Sequence, residues 1–418
     1  MRSFIHLSLA MLATLPAGVG AQSAHVSLPV TTAGEKSEFL RAIVNAPALH
    51  AALRRTEAAR ERVGAAGRLA DVELEGMGSR MVGPMDERAT MWEVNVRQPL
   101  PKRGERAADR DRARAGVAMA EADYVLMAGE MAADTAMALA EAAGAEQRIR
   151  LLNTQISRLD AVLRSVDTRI AAGAGRLADR LTVQTRLASM QLMIEEERLM
   201  AADALADAQG RLGLKPDAPL PPFAAPAPLD IKADEAAALR LAAARSEEAT
   251  AMVKMARASA NPMTAVGVRF EQERRAMGDE NTVGLAFMTD IPWRSRGYAR
   301  AEVKAAEAER AAAATDATAA RYRIAAAITR VARAERLAET SRRLSQETLS
   351  RLNAEFDAMI RSAGVGGMNQ SSTILETVEL LEKATDTELQ VIRADTAVRT
   401  ARAELWRYVA ASEFPQSN

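Results

Sequence analysis

Two different hydrophobic periods alternate along the chain. Ahead of residue 171, apolar side chains recur at alternating steps of three and four, which is the spacing of a coiled-coil seam: Ile149, Leu152, Ile156, Leu159, Leu163, Val166 and Ile170. A looser version of this seam appears later, at Leu337, Leu344, Leu352, Phe356 and Met359. A helix from Gly104 to Ala171 would be roughly 100 Å long at ~1.5 Å per residue. The pattern therefore predicts long helices packed together.

Four short segments show the other period, in which apolar and polar side chains alternate one by one. The apolar positions of the first two segments are Val72, Leu74, Trp92, Val94 and Val96. Those of the last two are Val266, Val268, Phe270, Val283, Leu285 and Phe287. This pattern predicts four β-strands with one apolar face each. Such strands suit a barrel wall between lipid and water, and a sheet lying on a soluble core would show the same alternation.

The chain is an internal duplication. Pro99 and Pro292 are 193 residues apart, Gly175 and Gly367 are 192 apart, and a basic cluster follows each proline. Each copy reads as helix, strand, turn, strand, long helix, glycine reversal and helix. We expect repeats at residues 37–212 and 233–411, joined by a proline-rich linker at 213–232. Residues 22–36 form an N-terminal extension, and residues 412–418 form a tail.

The first residues have the pattern of a secretory leader. Arg2 precedes an apolar run from Phe4 to Leu15, and Val19-Gly20-Ala21 supplies small residues before a cleavage point at Gln22. We expect residues 1–21 to be a signal peptide, the alternative being a buried first helix. No later stretch has about 18 uninterrupted apolar residues, so we expect no transmembrane helix.

Composition excludes several kinds of chemistry. Lys and Arg number 55, as do Asp and Glu, and this balance argues against a nucleic-acid partner. The absence of cysteine excludes disulfides, thiolate metal sites and a lipid attached to cysteine. With three histidines and no catalytic motif, we expect neither an enzyme nor a bound cofactor or metal. Four methionines surround the first hairpin, either as apolar filler or as thioether ligands for Cu(I): Met77, Met81, Met85 and Met91.

The strand count bears on assembly. Two hairpins give four strands, too few to close a barrel, whereas three chains would supply twelve. A homotrimer is the simplest assembly that removes the open strand edges. The expected fold is thus mainly α with a small β part. Duplicated long coiled-coil hairpins would form a trimeric α-barrel tunnel that continues into a shared 12-stranded β-barrel.

From Ser37 to Ala411 the sequence resembles the TolC family of outer-membrane efflux proteins. The family's hairpin-tip signature, a glycine followed nine residues later by an acid or amide, is matched by Gly175 with Gln184 and by Gly367 with Glu376. The stretch from Gln98 to Arg106 is similar to a strand-end motif of the CzcC-like branch, which serves heavy-metal efflux.

The resemblance implies a function and partners. The chain would be the outer-membrane channel of a tripartite efflux system, extending into the periplasm as a passive exit duct for substrates that include heavy-metal cations. Its partners would be outer-membrane lipid, a periplasmic adaptor (membrane fusion) protein and an inner-membrane pump of the RND type. The alternatives are an exit duct for type I protein secretion and a periplasmic coiled-coil adaptor or scaffold.

The same resemblance implies two functional regions. The hairpin tips would contact the adaptor, through Gly173, Gly175, Arg176, Gly364, Gly366 and Gly367. Gln184 and Glu376 are the candidates for a tunnel constriction. We expect Gly175 and Gly367 to adopt the left-handed backbone that a tight reversal needs.

Overall fold

The helices and strands follow the duplicated order that the sequence predicts. A computed structural model describes residues 33–82, 88–173, 175–221, 231, 233–275, 278–290, 293, 295–363, 370–409 and 414. The first copy contains α1 (Ala33–Val44), α2 (Pro47–Ala65), β1 (Glu73–Val82), β2 (Arg88–Leu100), α3 (Glu105–Ala171) and α4 (Leu177–Leu212). The second contains α5 (Ala237–Ser259), β3 (Thr264–Arg275), β4 (Gly278–Thr289), α6 (Ser295–Ala363) and α7 (Gln370–Glu404), with 3₁₀ turns at Ala233–Glu235 and Leu405–Tyr408. The prediction of a mainly helical chain with four strands is confirmed.

The described residues form two compact units. The helical unit comprises those within Met1–Ala48, Ala128–Ile231 and Ile324–Asn418. The sheet unit comprises those within Leu49–Met127 and Lys232–Arg323. The expected leader at residues 1–21 lies outside the described residues, as does half of the proline-rich linker, at residues 222–230 and 232.

The four strands form one antiparallel sheet in the order β1-β2-β3-β4. Its register brings the apolar positions of all four strands into common rows. One row is Leu74, Val96, Val268 and Leu285, and the next is Gly76, Val94, Phe270 and Val283. The alternation predicted from the sequence is therefore confirmed, and these rows form one apolar face that runs across all four strands.

The helices of the sheet unit pack through alanine. Buried alanines recur every seven residues in two series: Ala108, Ala115 and Ala122 on α3, then Ala299, Ala306, Ala313 and Ala320 on α6. Small side chains at this spacing allow neighbouring helices to approach closely. Polar contacts join the neighbours: Lys254 on α5 donates to Asp111 on α3 at 2.6 Å, and Arg257 on α5 faces Glu307 on α6 at 3.5 Å.

The core of the helical unit lies between α3, α4 and α7. The predicted α3 seam is confirmed, because Leu152, Leu159 and Val166 are buried. The remaining seam residues are half-buried against the same core: Ile149, Ile156, Leu163 and Ile170. The core is completed from α4 and α7 by Val183, Leu187, Met190, Ile194, Ile374, Val378 and Leu389.

The seam predicted on α6 is wrong at Leu337 and Leu344, whereas Leu352 is half-buried. Leu337 and Leu344 are 61% and 52% exposed, and the buried positions lie one residue later, at Ala338 and Ser345. The smaller side chains face the neighbouring helix, while the leucines form a separate outward stripe. The side chains of Phe356 and Met359 lie outside the described part of α6.

The two ends of the described chain meet in the helical unit. The Trp406 ring is fully buried between Phe39, at 5.8 Å, and Phe414, at 6.3 Å. Asp134 on α3 accepts hydrogen bonds from Arg211 and Arg407, each at 2.6 Å. This carboxylate therefore ties α3 to the end of α4 and to the C-terminal turn.

Among the helices of the described segments, none is both long and apolar enough to cross a membrane.

We expect Asp134→Asn to destabilise the helical unit, because it removes the charge that two guanidinium groups share. The loss should be on the order of 1–2 kcal/mol, measured by chemical denaturation in detergent. Asp207→Asn is the control, because Asp207 also pairs with Arg211, at 2.9 Å, but is 55% exposed. Equal losses from the two variants would contradict a special role for Asp134.

Candidate functional site: the two sheet faces and the hairpin tip

The apolar face of the sheet is open to its surroundings. Leu285 is 92% exposed, Leu74 is 73% exposed and Phe287 is 70% exposed. Trp92, Val94, Val96, Val266, Val268, Phe270 and Val283 are exposed as well. No described segment of the sheet unit packs over that face as a soluble core would. A contiguous apolar patch of this kind marks a surface that contacts lipid or another protein.

The opposite face is charged and internally paired. Arg97 on β2 lies 3.4 Å from Glu73 and 3.1 Å from Glu75, both on β1. Arg269 on β3 donates to Glu93 on β2 at 2.6 Å. Cross-strand ion pairs of this kind suit a surface that faces water. One sheet therefore has an exposed apolar face and an opposite face with cross-strand ion pairs.

Both outer strands of the sheet have an open edge. Within the described residues, β1 pairs only with β2, and β4 pairs only with β3. Each edge leaves backbone N–H and C=O groups available for a further strand. The same sheet can be continued by another chain on either side.

The first hairpin tip depends on two glycines with different roles. The Gly173 N–H donates to the Ile170 carbonyl at 2.9 Å, and Gly173 has a left-handed backbone with φ of +76°. At Gly175, a Cβ would lie 2.8 Å from both the backbone N and the Cγ1 of Ile170. The expectation of a left-handed Gly175 was therefore wrong, since Gly173 makes the reversal and Gly175 permits close approach. Arg176 is exposed at the start of α4.

Gly364, Gly366 and Gly367 lie outside the described residues, between the end of α6 at Ala363 and the start of α7 at Gln370. Their expected backbone and adaptor contacts stay predictions.

The two constriction candidates occupy matching places on the returning helices. Gln184 follows the buried Val183 on α4, and Glu376 lies between the buried Ile374 and Val378 on α7. Both side chains are exposed. In a single chain they point away from the helical core, so any constriction would have to form between chains.

Ion pairs join neighbouring helices at positions that the periodicity of the sequence did not predict. Arg186 on α4 lies 2.9 Å from Glu382 on α7, and Arg180 on α4 lies 3.0 Å from Asp167 on α3. Burial raises the pKa of the Glu388 carboxyl above its ordinary value, and the charge of Arg158 offsets part of that rise. The spacing of residues along a helix predicts which side chains are neighbours on that helix. These contacts between helices depend instead on how far one helix is shifted along the other.

Comparison with known proteins shows where this arrangement recurs. Residues 40–212 match the model of the outer membrane efflux protein family. No curated protein sequence matches the chain. The first repeat thus carries the sequence signature of that family.

The fold recurs in solved structures at low sequence identity. The outer membrane protein VceC of Vibrio cholerae superposes with a TM-score of 0.71 at 15% identity, over 90% of this chain and 96% of VceC. A membrane protein from Pseudomonas aeruginosa gives a TM-score of 0.69 at 19% identity, covering 90% of this chain and 93% of the other. The CmeC outer membrane channel of Campylobacter jejuni gives 0.67 at 13% identity, covering 92% and 87% respectively. The chain has the fold of outer membrane channels.

We expect Gly175→Val to distort the first tip, because its Cβ would collide with the Ile170 backbone. Gly173→Ala should be milder, costing about 1 kcal/mol for the left-handed backbone, and Gly173→Asn should recover part of that loss. Hydrogen exchange at residues 168–180 would measure the effect.

Gly210→Ala is the control for these variants, because a Cβ at this α4 position meets nothing within 4 Å. It should leave exchange at the tip unchanged. Unchanged exchange in Gly175→Val as well would show that close approach at Ile170 does not constrain the turn.

Proposed function

We propose that this chain is one subunit of an outer-membrane channel, the passive exit duct of a tripartite efflux system. The observation that carries the proposal is the sheet with one exposed apolar face and one ion-paired face. In a membrane, the apolar face would contact lipid and the charged face would line water. The matched family and the shared fold support this assignment, and we expect no enzymatic activity.

The open edges favour a homotrimer. Three copies joined from β4 to β1 would give twelve strands and leave no edge unpaired. The helices offer a second contact between copies, because α4 and α6 both carry outward-facing leucines in the helical unit. Leu192 and Leu199 are 61% and 66% exposed on α4, and they would face the Leu337 and Leu344 stripe of the next copy.

The positions of these stripes agree along the hairpins. Leu199 is 24 residues beyond Gly175, and Leu344 is 23 residues before Gly367. Since each helix rises ~1.5 Å per residue, the two leucines lie at about the same distance from the tips. We therefore pair Leu199 of one copy with Leu344 of its neighbour.

The partners follow from the resemblance to the TolC family. We assign the hairpin tips to contacts with a periplasmic adaptor, and the pump to the RND type. Processing at Gln22 and placement in the outer membrane belong to the same proposal. The motif from Gln98 to Arg106 supports a heavy-metal branch. In the structure it spans the end of β2 and the start of α3, with the Lys102 N–H donating to Glu105 at 2.8 Å.

The assembly is tested with the double variant Leu199→Cys, Leu344→Cys in the full chain, which has no cysteine of its own. Oxidation in membranes should link three chains into a covalent ring, seen as a trimer on a denaturing gel. Leu344→Cys paired with Arg198→Cys is the control and should link poorly, because Arg198 is exposed on α4 but lies about 100° around the helix from Leu199. A protein that stays monomeric after mild detergent extraction would refute the assembly.

The duct itself is tested by single-channel recording of the purified protein in a planar lipid bilayer. We expect Gln184→Ala and Glu376→Ala to raise conductance, because both remove polar side chains proposed to narrow the tunnel. Glu379→Ala, another exposed carboxylate on α7, should change conductance less than Glu376→Ala. Equal conductance in all variants would remove Gln184 and Glu376 from the constriction.

A further inference from the structure

The methionines of the strands lie on the charged face of the sheet. Met77 pairs with Glu93 across β1 and β2, and Met91 pairs with Glu273 across β2 and β3. The apolar face has Val, Leu, Phe and Trp at the equivalent places. An apolar filler would be expected among those residues. Met77 is instead 56% exposed on the side that the proposed function assigns to water.

Met77 and Met91 are close enough to share a ligand. Met91 pairs with Ser79, two residues from Met77 along β1. The two methionines are therefore diagonal neighbours on one face, a separation of about 7 Å that long side chains can bridge. Each ends in a flexible chain with a polarisable thioether sulfur.

The charges around this pair favour a cation. Glu273 lies beside Met91 and pairs with Glu280 on β4, so one row of the sheet reads Ser79, Met91, Glu273 and Glu280. Two arginines of this face lie beside other carboxylates: Arg97 lies near Glu73 and Glu75, and Arg269 donates to Glu93.

Met288 is a useful contrast on the same face. The Arg97 guanidinium lies 3.9 Å from the Met288 sulfur. A fixed positive charge at that distance opposes binding of a metal cation. Met288 is therefore left out of the proposed thioether site.

We propose that Met77 and Met91 form a thioether site for a soft monovalent cation, of the Cu(I) or Ag(I) class, on the water-facing side of the sheet. Thioethers bind soft metal ions and discriminate against harder divalent ions. Among the described residues, no group of three histidine, cysteine or acidic side chains is arranged to hold a metal. The site rests on the proposed function and specifies one class of cargo. One exposed and one half-buried ligand, Met77 and Met91, would bind and release an ion in transit.

The test is silver binding to the full-length protein in detergent, followed by calorimetry and by X-ray absorption at the silver edge. We expect the silver ion to be coordinated by sulfur. We also expect calorimetry to detect a class of silver-binding sites in the wild type that is absent from the double variant Met77→Leu, Met91→Leu. Leucine conserves the volume of methionine and removes the sulfur. Met200→Leu is the matched control, since Met200 is 51% exposed on α4. It should retain those sites.

Two results would overturn the site. One is equal silver binding by the wild type and the double variant. The other is competition by Zn²⁺ at the same concentration, which would identify carboxylates as the ligands. Bilayer recordings of the same samples separate this inference from the proposed function. Channels without thioether binding would refute only the site, whereas thioether binding without channels would support the site and refute the proposed duct.

Discussion

The pairing of β2 with β3 is the contact on which the sheet depends. It joins the first copy of the repeat to the second, from Thr90 with Arg274 to Leu100 with Thr264. The two backbones approach closely at Gly267, where a Cβ would lie 2.4 Å from the Val96 carbonyl oxygen. Because side chains alternate along a strand, a slip of one residue would move the apolar set of a whole hairpin to the charged face. This register therefore decides whether the sheet has two distinct faces at all.

A sheet with two such faces imposes conditions on its surroundings. The described residues of the sheet unit do not cover its apolar side, and its two outer strands remain open. Burial of the apolar side by lipid and pairing of the edges by identical chains satisfy both conditions together. Neither condition is met by a solitary chain in water, because exposed apolar area and unpaired edges both favour association. The assembly proposed above thus follows from the sheet more directly than from the helices.

The sequence predicted the elements better than it predicted their contacts. Period-two alternation located all four strands, because each strand has one apolar and one polar face. The α3 seam was predicted equally well, because its large residues, such as Leu152 and Leu159, are the buried ones. On α6 the same reasoning failed. There the large residues Leu337 and Leu344 face outward and small ones, such as Ala338, face the neighbouring helix.

The failure has a physical cause. A search for a seam looks for large apolar side chains, whereas two helices that pack closely need small ones at the contact. The seven-residue alanine series on α3 and α6 carried that signal in the sequence. In a chain so rich in alanine, only its regular spacing distinguishes the series. Contacts such as Arg186 with Glu382 depend on the offset between helices, which no periodicity within one helix reveals.

Glycine and methionine show how position gives a residue its meaning. The tip needs Gly173 for its left-handed backbone and Gly175 for the space beside Ile170, a distinction that a glycine-rich motif cannot make. The methionines around the first hairpin were equally ambiguous, as filler or as ligands. Once the register is known, Met77 and Met91 fall among carboxylates, where the hydrophobic effect gives no reason for a thioether. The proposed thioether site would give these two side chains a role on that charged face.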